Sequence, residues 1–545
     1  MMKDNYEVVI GLEIHAQLKT ESKMFCRCSN AIVLAQKNAE KDTEKRGIKL
    51  EEPNSRVCPV CLGMPGSLPV ANRQAIESTI LLGLALGSRV PEKFNFERKN
   101  YFYPDLPKAY QISSATNPPV VGGFLEIETL RLDSTDSTGS RQGSSPQAAQ
   151  DKQGIRKIQI HHIHLEEDAG KLVHEEGKDY SLVDLNRAGT PLMEIVTEPD
   201  LRSPEEAKVF LQSLRGILRY LKISDADMEK GQMRCDANIS LRKKGAKELG
   251  TKVEIKNINS FKMVERALEY EIERQTELLE SNTKVVQETR GWNDAKGKSI
   301  SQRTKEESMD YRYFPDPDIP TIKIGMHGLD TDLKLTTDEH GFINIDEIRK
   351  LIPELPKEKR ERFVSEYGLG EKDAFTLTAD HALANYFERT LEEISDIVKG
   401  SDIERNFAKK ISNWILNELL ARLNSKGESI EETKVLPEHL AELVTLIEKG
   451  TVSGKMAKEI FEEMFEAGKT PASIIKEKGL EQVSGEEELG KIVDEVLEKN
   501  SKSVKDFKSG KMNALGYLVG QVMAVTKGKA NPGVVNEILR KKLET

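Results

Sequence analysis

The sequence offers no stretch that could span a bilayer. Its longest apolar run, Ile80 to Leu86, is interrupted by Gly83 and falls far short of the roughly 20 residues required. The opening MMKDNYEVV lacks a basic segment followed by an apolar one, so no export signal is expected and the cytoplasm is the default location. Positive charge is not in surplus either. With 81 Lys and Arg against 90 Asp and Glu, the formal charge is -9, which argues against a whole-protein electrostatic grip on nucleic acid and leaves only a local one. Cysteine is scarce, five in 545 residues, too few for a disulfide framework in a chain of this size. A GxxxxGK[ST] phosphate loop is missing, because Gly291 misses the spacing to Gly297-Lys298-Ser299 by one residue, so a nucleotide would not be held by a P-loop. No catalytic Cys/His pairing stands out, and Gly143-Ser144-Ser145 lies in a low-complexity stretch. The chain therefore lacks a recognisable hydrolytic nucleophile of its own.

What is present divides the chain in two. At about 150 residues per domain, three or four domains are expected. Residues 6–260 show period-two stretches interrupted by helices. One helix opens at Ser203-Pro204-Glu205-Glu206, with Ser as N-cap, Pro at the first helical position and Glu206 placed to close a capping box. A second follows Asn259-Ser260, with Val264, Ala267, Leu268 and Ile272 on one stripe. From about residue 346 amphipathic helical patterns take over, punctuated by Pro353, Pro356, Gly450 and Gly468. The fold class is α+β followed by all-α, with divisions expected at 1–345, 346–470 and 471–545. The segment 133–154 is almost devoid of apolar residues and reads as an inserted loop, and 326–344 as a small hairpin at the domain junction. Residues 501–545 carry nine Lys and Arg against three Asp and Glu, among them Lys505, Lys508, Lys511, Lys527, Lys529, Arg540, Lys541 and Lys542. On charge alone such a tail is a solvated helix face or a nucleic-acid contact.

Three constellations carry chemistry. Cys26-x-Cys28 and, 29 residues on, Cys58-x-x-Cys61 are two short-spaced thiol pairs of the kind that hold a tetrahedral structural Zn²⁺. Cys235 has no such partner and reads as a core residue. In the strand Glu7 to Leu18, residues Val8, Ile10, Leu12, Ile14, Ala16 and Leu18 alternate with Glu7, Val9, Gly11, Glu13, His15 and Gln17, so Glu13 and His15 share a face. A second strand, Ile158 to Asp168, brings Glu166 and Glu167, and alternation alone leaves open which of them joins that face. Carboxylates with one imidazole suit Mg²⁺ or Mn²⁺ better than zinc, although a solvated edge with ordinary ion pairs has the same pattern. In a third strand, Gln232 to Arg242, the outward residues are Arg234, Asp236, Asn238, Ser240 and Arg242, beside Lys252, Glu254 and Lys256 on a neighbour. This is either the floor of a cleft for an anionic ligand, with Arg234, Asn238 and Arg242 binding substrate, or the solvent face of an antiparallel sheet.

A resemblance goes further. The strings YEVVIGLEIHAQLKTESKMFC, NYFYPDLPKAYQIS, HHIHLEEDAGK, LVDLNRAGTPLMEIVTEPD, RCDANISLR, EIKNINSF and DYRYFPDPDIP, in order over residues 6–319, closely resemble the B-subunit family of the aspartyl/glutamyl-tRNA amidotransferases. NALGYLVGQVMAVTKGKANPGVVNEILRKKL is similar to that family's tail domain, while the 133–154 insert departs from its compact form. The resemblance implies a ligase that phosphorylates Glu-tRNA(Gln), Asp-tRNA(Asn) or both with ATP and then amidates them. It implies a cradle domain with a glutamine-synthetase-like core, a glutaminase A subunit that supplies ammonia, a small C subunit, and tRNA bound by the tail. Glu13, His15 and a carboxylate of Glu166-Glu167, taken as Glu167, match the family's Mg²⁺ positions, and Lys108 matches a position along its ammonia channel. Two rivals stand beside this reading. One is a Glu-tRNA(Gln)-only relative with an asparaginase-like partner, for whose extra insertion residues 320–346 are too short; the other is a non-catalytic zinc-bearing tRNA-binding module.

Overall fold

The computed structural model describes residues 5–30, 52–130, 153–175, 177–304, 312–325, 343–394, 401–478, 486–508, 513–526, 530 and 532–544. The inserted loop at 133–154 and the hairpin at 326–344 fall almost wholly outside these residues, as do Lys511, Lys527 and Lys529 of the tail. The chain forms two compact units, Met1–Leu355 and Pro356–Thr545.

In the first unit the described strands are β1 (Tyr6–Gln17), β2 (Lys93–Phe94), β3 (Glu97–Asn100), β4 (Tyr110–Ser113), β5 (Val120–Val121), β6 (Phe124–Leu130), β7 (Gln153–Glu167), β8 (Lys171–His174), β9 (Ser181–Asp184), β10 (Pro191–Thr197), β11 (Met233–Lys243), β12 (Val253–Lys256), β13 (Glu288–Asn293), β14 (Lys298–Thr304), β15 (Phe314–Pro315), β16 (Ile322–Gly325) and β17 (Ile343–Asn344). Twelve of them make one sheet in the order β14-β13-β12-β11-β1-β10-β7-β4-β3-β15, with β5 and β6 also on β7. Only β12 and β13 run parallel in it; the other pairings are antiparallel, for which alternation of apolar and polar faces is the expected signature.

That alternation decides which way the sheet faces. Ile10, Leu12, Ile14 and Ala16 of β1 are at most 1% exposed and join one core with Met233, Cys235, Ala237 and Ile239 of β11 and Met193 and Ile195 of β10. Three helices cover this side: α1 (Arg73–Ala85) against β7, α2 (Pro204–Tyr220) against β6 and α3 (Phe261–Glu280) against β11. Each fully buried Ile or Leu contributes about 1.5–3 kcal/mol relative to exposure, so the register of β1 is held by its whole apolar row. Cys235 is a buried core thiol, as its strand pattern predicts.

The helix starts follow the sequence signals with one difference. Ser203 caps α2 by accepting from the Glu206 N–H, and Ser260 caps α3 by accepting from the Met263 N–H. Glu206 does not close the expected capping box: its carboxylate accepts instead from the Arg202 N–H at 2.7 Å and from Arg156 at 2.8 Å. A nearby guanidinium is a stronger donor than the backbone N–H it replaces.

The second unit is helical among the described residues. The helix Pro471–Lys478, which the sequence reading assigns to the tail, packs against Gly454–Ala467. The following helices Glu486–Lys499, Ser501–Lys508, Asn513–Val525 and Pro532–Glu544 have a core of their own, built on Leu489, Val493, Leu518, Val535 and Leu539.

Because Ile14 is fully buried in the central strand, Ile14→Ala should lower the unfolding free energy of the first unit by about 2–5 kcal/mol. A reduced urea midpoint with unchanged slope checks this; an unmoved midpoint would show that the apolar row is not what holds β1.

Candidate active site and cysteine cluster

The opposite face of the sheet is a polar wall whose composition follows from register. Directly paired residues share a face, as do residues two apart on a strand. Pairing of β1 with β11 sets Glu13 opposite Asp236, His15 opposite Arg234 and Gly11 opposite Asn238. On its other side His15 faces Glu194 of β10, which in turn faces His164 of β7. His162, His164 and Glu166 therefore join Glu194, His15, Glu13, Arg234, Asp236 and Asn238 on one surface, extended by Glu254 and Lys256 of β12.

At its middle lies a compact acidic centre. His15 Nε2 is 3.4 Å from Glu166 Oε1 and 3.2 Å from Glu194 Oε2, and potential ligand atoms of these three residues all lie within 4.8 Å of one another. Behind them His164 Nε2 sits 3.3 Å from Glu194 Oε2. Burial pulls His164 down, but the charges of Glu194 and Glu166 outweigh it and push the imidazole up to about 9. His15 is raised in the same way, burial opposing and Glu194 prevailing. Glu194, although burial works against its ionisation, is held well below the usual carboxylate range by His164 and His15. Two carboxylates and two imidazoles thus share one row, and one imidazole with two carboxylates is a donor set suited to a hard divalent ion.

The structure brings some of the sequence candidates to this centre and not others. Glu13, expected as a metal ligand, shares the face but is not in the cluster; it accepts from Asn238 Nδ2 at 2.8 Å and is raised by burial and by Glu194. Arg234 is tethered by Asp168, Nη2 to Oδ1 2.8 Å, with its side chain 41% exposed. Glu167, expected among the metal ligands, is not in the cluster. It alternates away from Glu166, and its carboxylate is an ion-pair partner of Lys108 and accepts from the Ile112 N–H at 3.0 Å. Glu166 is the carboxylate of the two that lies in the cluster, since consecutive strand residues point to opposite faces. Arg242 is also remote from the centre: it pairs with Glu7 at 2.7 Å, eight residues along β1 from His15, or about 26 Å at the usual rise per residue. Glu194 was not among the candidates. Its signal was a lone acid in the apolar run PLMEIVT of β10.

The four cysteines converge as the sequence predicts. Cys26, Cys28, Cys58 and Cys61 offer sulfur atoms all within 4.8 Å of one another, and all four are free thiols. Cys58 and Cys61 Sγ lie 3.8 Å apart, close to the edge of a tetrahedron with Zn–S bonds of about 2.3 Å. Crowding splits their acidities. A hydrogen bond from Cys26, with help from the Cys58 N–H and Lys23, pulls Cys61 down to about 5, whereas burial and the Cys58 and Cys61 sulfurs push Cys28 up to about 11. Four sulfurs this close are a donor set that could hold a metal cation. Lys23, fully buried, donates to the Arg56 carbonyl at 2.8 Å and stands 4.0 Å from Cys61 Sγ.

The family model described as the GatB/GatE catalytic domain matches residues 8–330, and that described as the GatB domain matches residues 385–543. A protein of Persephonella marina, named as the B subunit of an aspartyl/glutamyl-tRNA(Asn/Gln) amidotransferase, is 48% identical over 542 residues, covering 99% of this chain and 100% of that protein. Proteins of the same name from Caldicellulosiruptor bescii, 48% identical over 542 residues, and Thermodesulfovibrio yellowstonii, 46% identical over 539, are each covered to 99%, as is this chain in both cases. With two family models in sequence order and relatives matched end to end, the chain belongs to the family of aspartyl/glutamyl-tRNA(Asn/Gln) amidotransferase B subunits.

Proposed function

We propose that the chain is the kinase and amide-forming subunit of a tRNA-dependent amidotransferase, a carbon–nitrogen ligase acting in the cytoplasm. It transfers phosphate from ATP to the side-chain carboxylate of Glu-tRNA(Gln), Asp-tRNA(Asn) or both, and ammonia then displaces the phosphate. The observation that carries this is the His15–Glu166–Glu194 centre on the polar wall. Its sheet is read as the floor of a cradle with a glutamine-synthetase-like core. End-to-end likeness to B subunits favours this over both rivals, the asparaginase-partnered relative and the non-catalytic tRNA-binding module.

The residues divide the work as follows. His15, Glu166 and Glu194 would hold Mg²⁺, with Glu13 as a further carboxylate of the same face. Such an ion supplies charge neutralisation on the transferring phosphoryl group. Arg234, held in place by buried Asp168, presents a pre-oriented guanidinium for phosphate oxygens. Asn238 keeps Glu13 oriented. No hydrolytic nucleophile is recognisable in the sequence, which fits ammonia supplied by a glutaminase A subunit, with a C subunit completing the assembly, as the family likeness implies. Lys108, whose side chain is 7% exposed and paired with Glu167, is the residue assigned to the ammonia path. Cys26, Cys28, Cys58 and Cys61 would hold a structural Zn²⁺.

The function is tested with the assembled complex, glutamine and ATP. Glu194→Gln should abolish conversion of Glu-tRNA(Gln) to Gln-tRNA(Gln), with a loss of at least about 10²-fold expected for a positioned charge in phosphoryl transfer, while glutaminase activity persists at least in part. Full amidation by this variant would sink the assignment.

Metal binding itself should be pH-dependent. His15 must be neutral to act as a ligand, and its pKa is raised above the ordinary 6.5, so Mn²⁺ affinity should climb as pH rises through that elevated value and level off beyond it. Up to about one proton per ion should be released. Calorimetry in buffers of different ionisation enthalpy measures this; a pH-independent affinity would remove His15 from the ligand set.

The basic tail is assigned to the tRNA body, because phosphate contacts give salt-dependent attraction while shape selects the tRNA. Removing residues 486–545, which include the separately cored helices, should raise KM for Glu-tRNA(Gln) strongly and flatten its salt dependence, with a smaller effect on kcat. Unchanged tRNA binding and salt slope would make the tail a solvated helix face.

A further inference from the structure

Lys108 and Glu167 form a buried ion pair, 7% and 4% exposed at the side chain, on the side of β7 away from the acidic centre. The attraction in such a pair offsets its desolvation only where its geometry is well held, so what packs against Lys108 matters. Three neighbours of Lys108 stand out. Tyr110 places its ring 5.6 Å from Nζ and belongs to β4, the strand that also gives Glu167 its backbone hydrogen bond. The other two belong to the cysteine cluster. Phe25, the residue before Cys26, places its ring 5.7 Å from Nζ. It is 3% exposed and is fixed from behind, where its carbonyl accepts from the Val70 N–H at 3.0 Å. Gly63, two residues after Cys61, lies against the Lys108 stem so closely that a Cβ there would stand 2.5 Å from Cγ and 3.0 Å from Cα. Its φ of +65° is a second reason for glycine.

The two contacts come from opposite halves of the cluster, Phe25 from the Cys26/Cys28 half and Gly63 from the Cys58/Cys61 half. In sequence these halves are separated by 29 residues; the four sulfurs bring them together, with the Lys23–Arg56 and Val70–Phe25 hydrogen bonds on either side. The turn that carries Gly63 is itself wound on the cysteine backbone: the Leu62 N–H donates to the Cys58 carbonyl at 3.1 Å and the Gly63 N–H to the Val60 carbonyl at 3.0 Å. We infer that the metal-bound cluster is a clamp, which grips Lys108 between Phe25 and Gly63 and fixes its ammonium on Glu167. The site's role is then specific: it sets the position of one buried lysine. This rests on the zinc reading above for what closes the clamp, and on geometry alone for what the clamp holds.

The test is amine footprinting of the full-length protein with sulfo-NHS-acetate, read by mass spectrometry at Lys108, alongside zinc content and iodoacetamide labelling of core Cys235 as a monitor of unfolding. In the zinc-loaded protein Lys108 should label slowly. In Gly63→Ala, which leaves all four sulfurs in place, zinc content should stay at about one equivalent while Lys108 labelling rises about tenfold or more as the open population grows. Zinc removed by chelation, or by the Cys58→Ser, Cys61→Ser double variant, should give the same rise with Cys235 still protected. If Cys235 becomes reactive in the stripped protein, Gly63→Ala decides. Slow Lys108 labelling in Gly63→Ala, or in stripped protein whose Cys235 is protected, overturns the clamp. Purified protein with no zinc overturns the zinc reading instead, and Gly63→Ala then still tests the grip on Lys108.

Discussion

Glu166 and Glu194 are brought by β7 and β10 to within reach of the same imidazole, and the first unit has to supply positive charge for them. Without an ion it does so with His15 and His164, one on each side. Much of the surrounding architecture serves that need. The apolar undersides of β1, β10 and β7 lock the register that puts His15, Glu194 and His164 in one row. Polar groups of β11 are committed to one another or to neighbours, Arg234 to Asp168 and Asn238 to Glu13, so the wall is pre-oriented rather than adaptable.

The part of this visible in the sequence is the part governed by local rules. Alternation in β1 exposes Glu13 and His15 on one face, serine caps mark the starts of α2 and α3, and paired cysteines announce their cluster. Other features depend on phase between strands, which no single strand contains. Alternation says that Glu166 and Glu167 face opposite ways, but only the pairing of Glu166 with Leu192 and of His15 with Glu194 says which one meets His15. Arg242 fails as a candidate for a related reason: it has the right face and the wrong row. Glu194 is not recognisable from sequence, because a single acid among Leu192, Met193, Ile195 and Val196 has the local appearance of a buried strand. Its role exists only once β1 and β7 flank it.

The consecutive residues Glu166 and Glu167 divide two tasks across the thickness of one sheet. One carboxylate faces the polar wall, and the other turns to Lys108 beneath the cysteine cluster. A sheet makes this separation automatically, and it keeps a buried lysine apart from the carboxylates of the polar wall. The two acids differ by one position in the chain, yet they see opposite electrostatic surroundings.

The placement of β1 also has a consequence for how the chain is made. Residues 6–17 are synthesised well before their partners, residues 191–197 and 233–243. At about 5–20 residues per second of synthesis, this apolar strand waits on the order of 10–45 s before both of its neighbours exist. Pairings of such long sequence separation are also slow to form once the whole chain is available. The strand that organises the finished sheet is therefore, during translation, the segment most in need of protection from other chains.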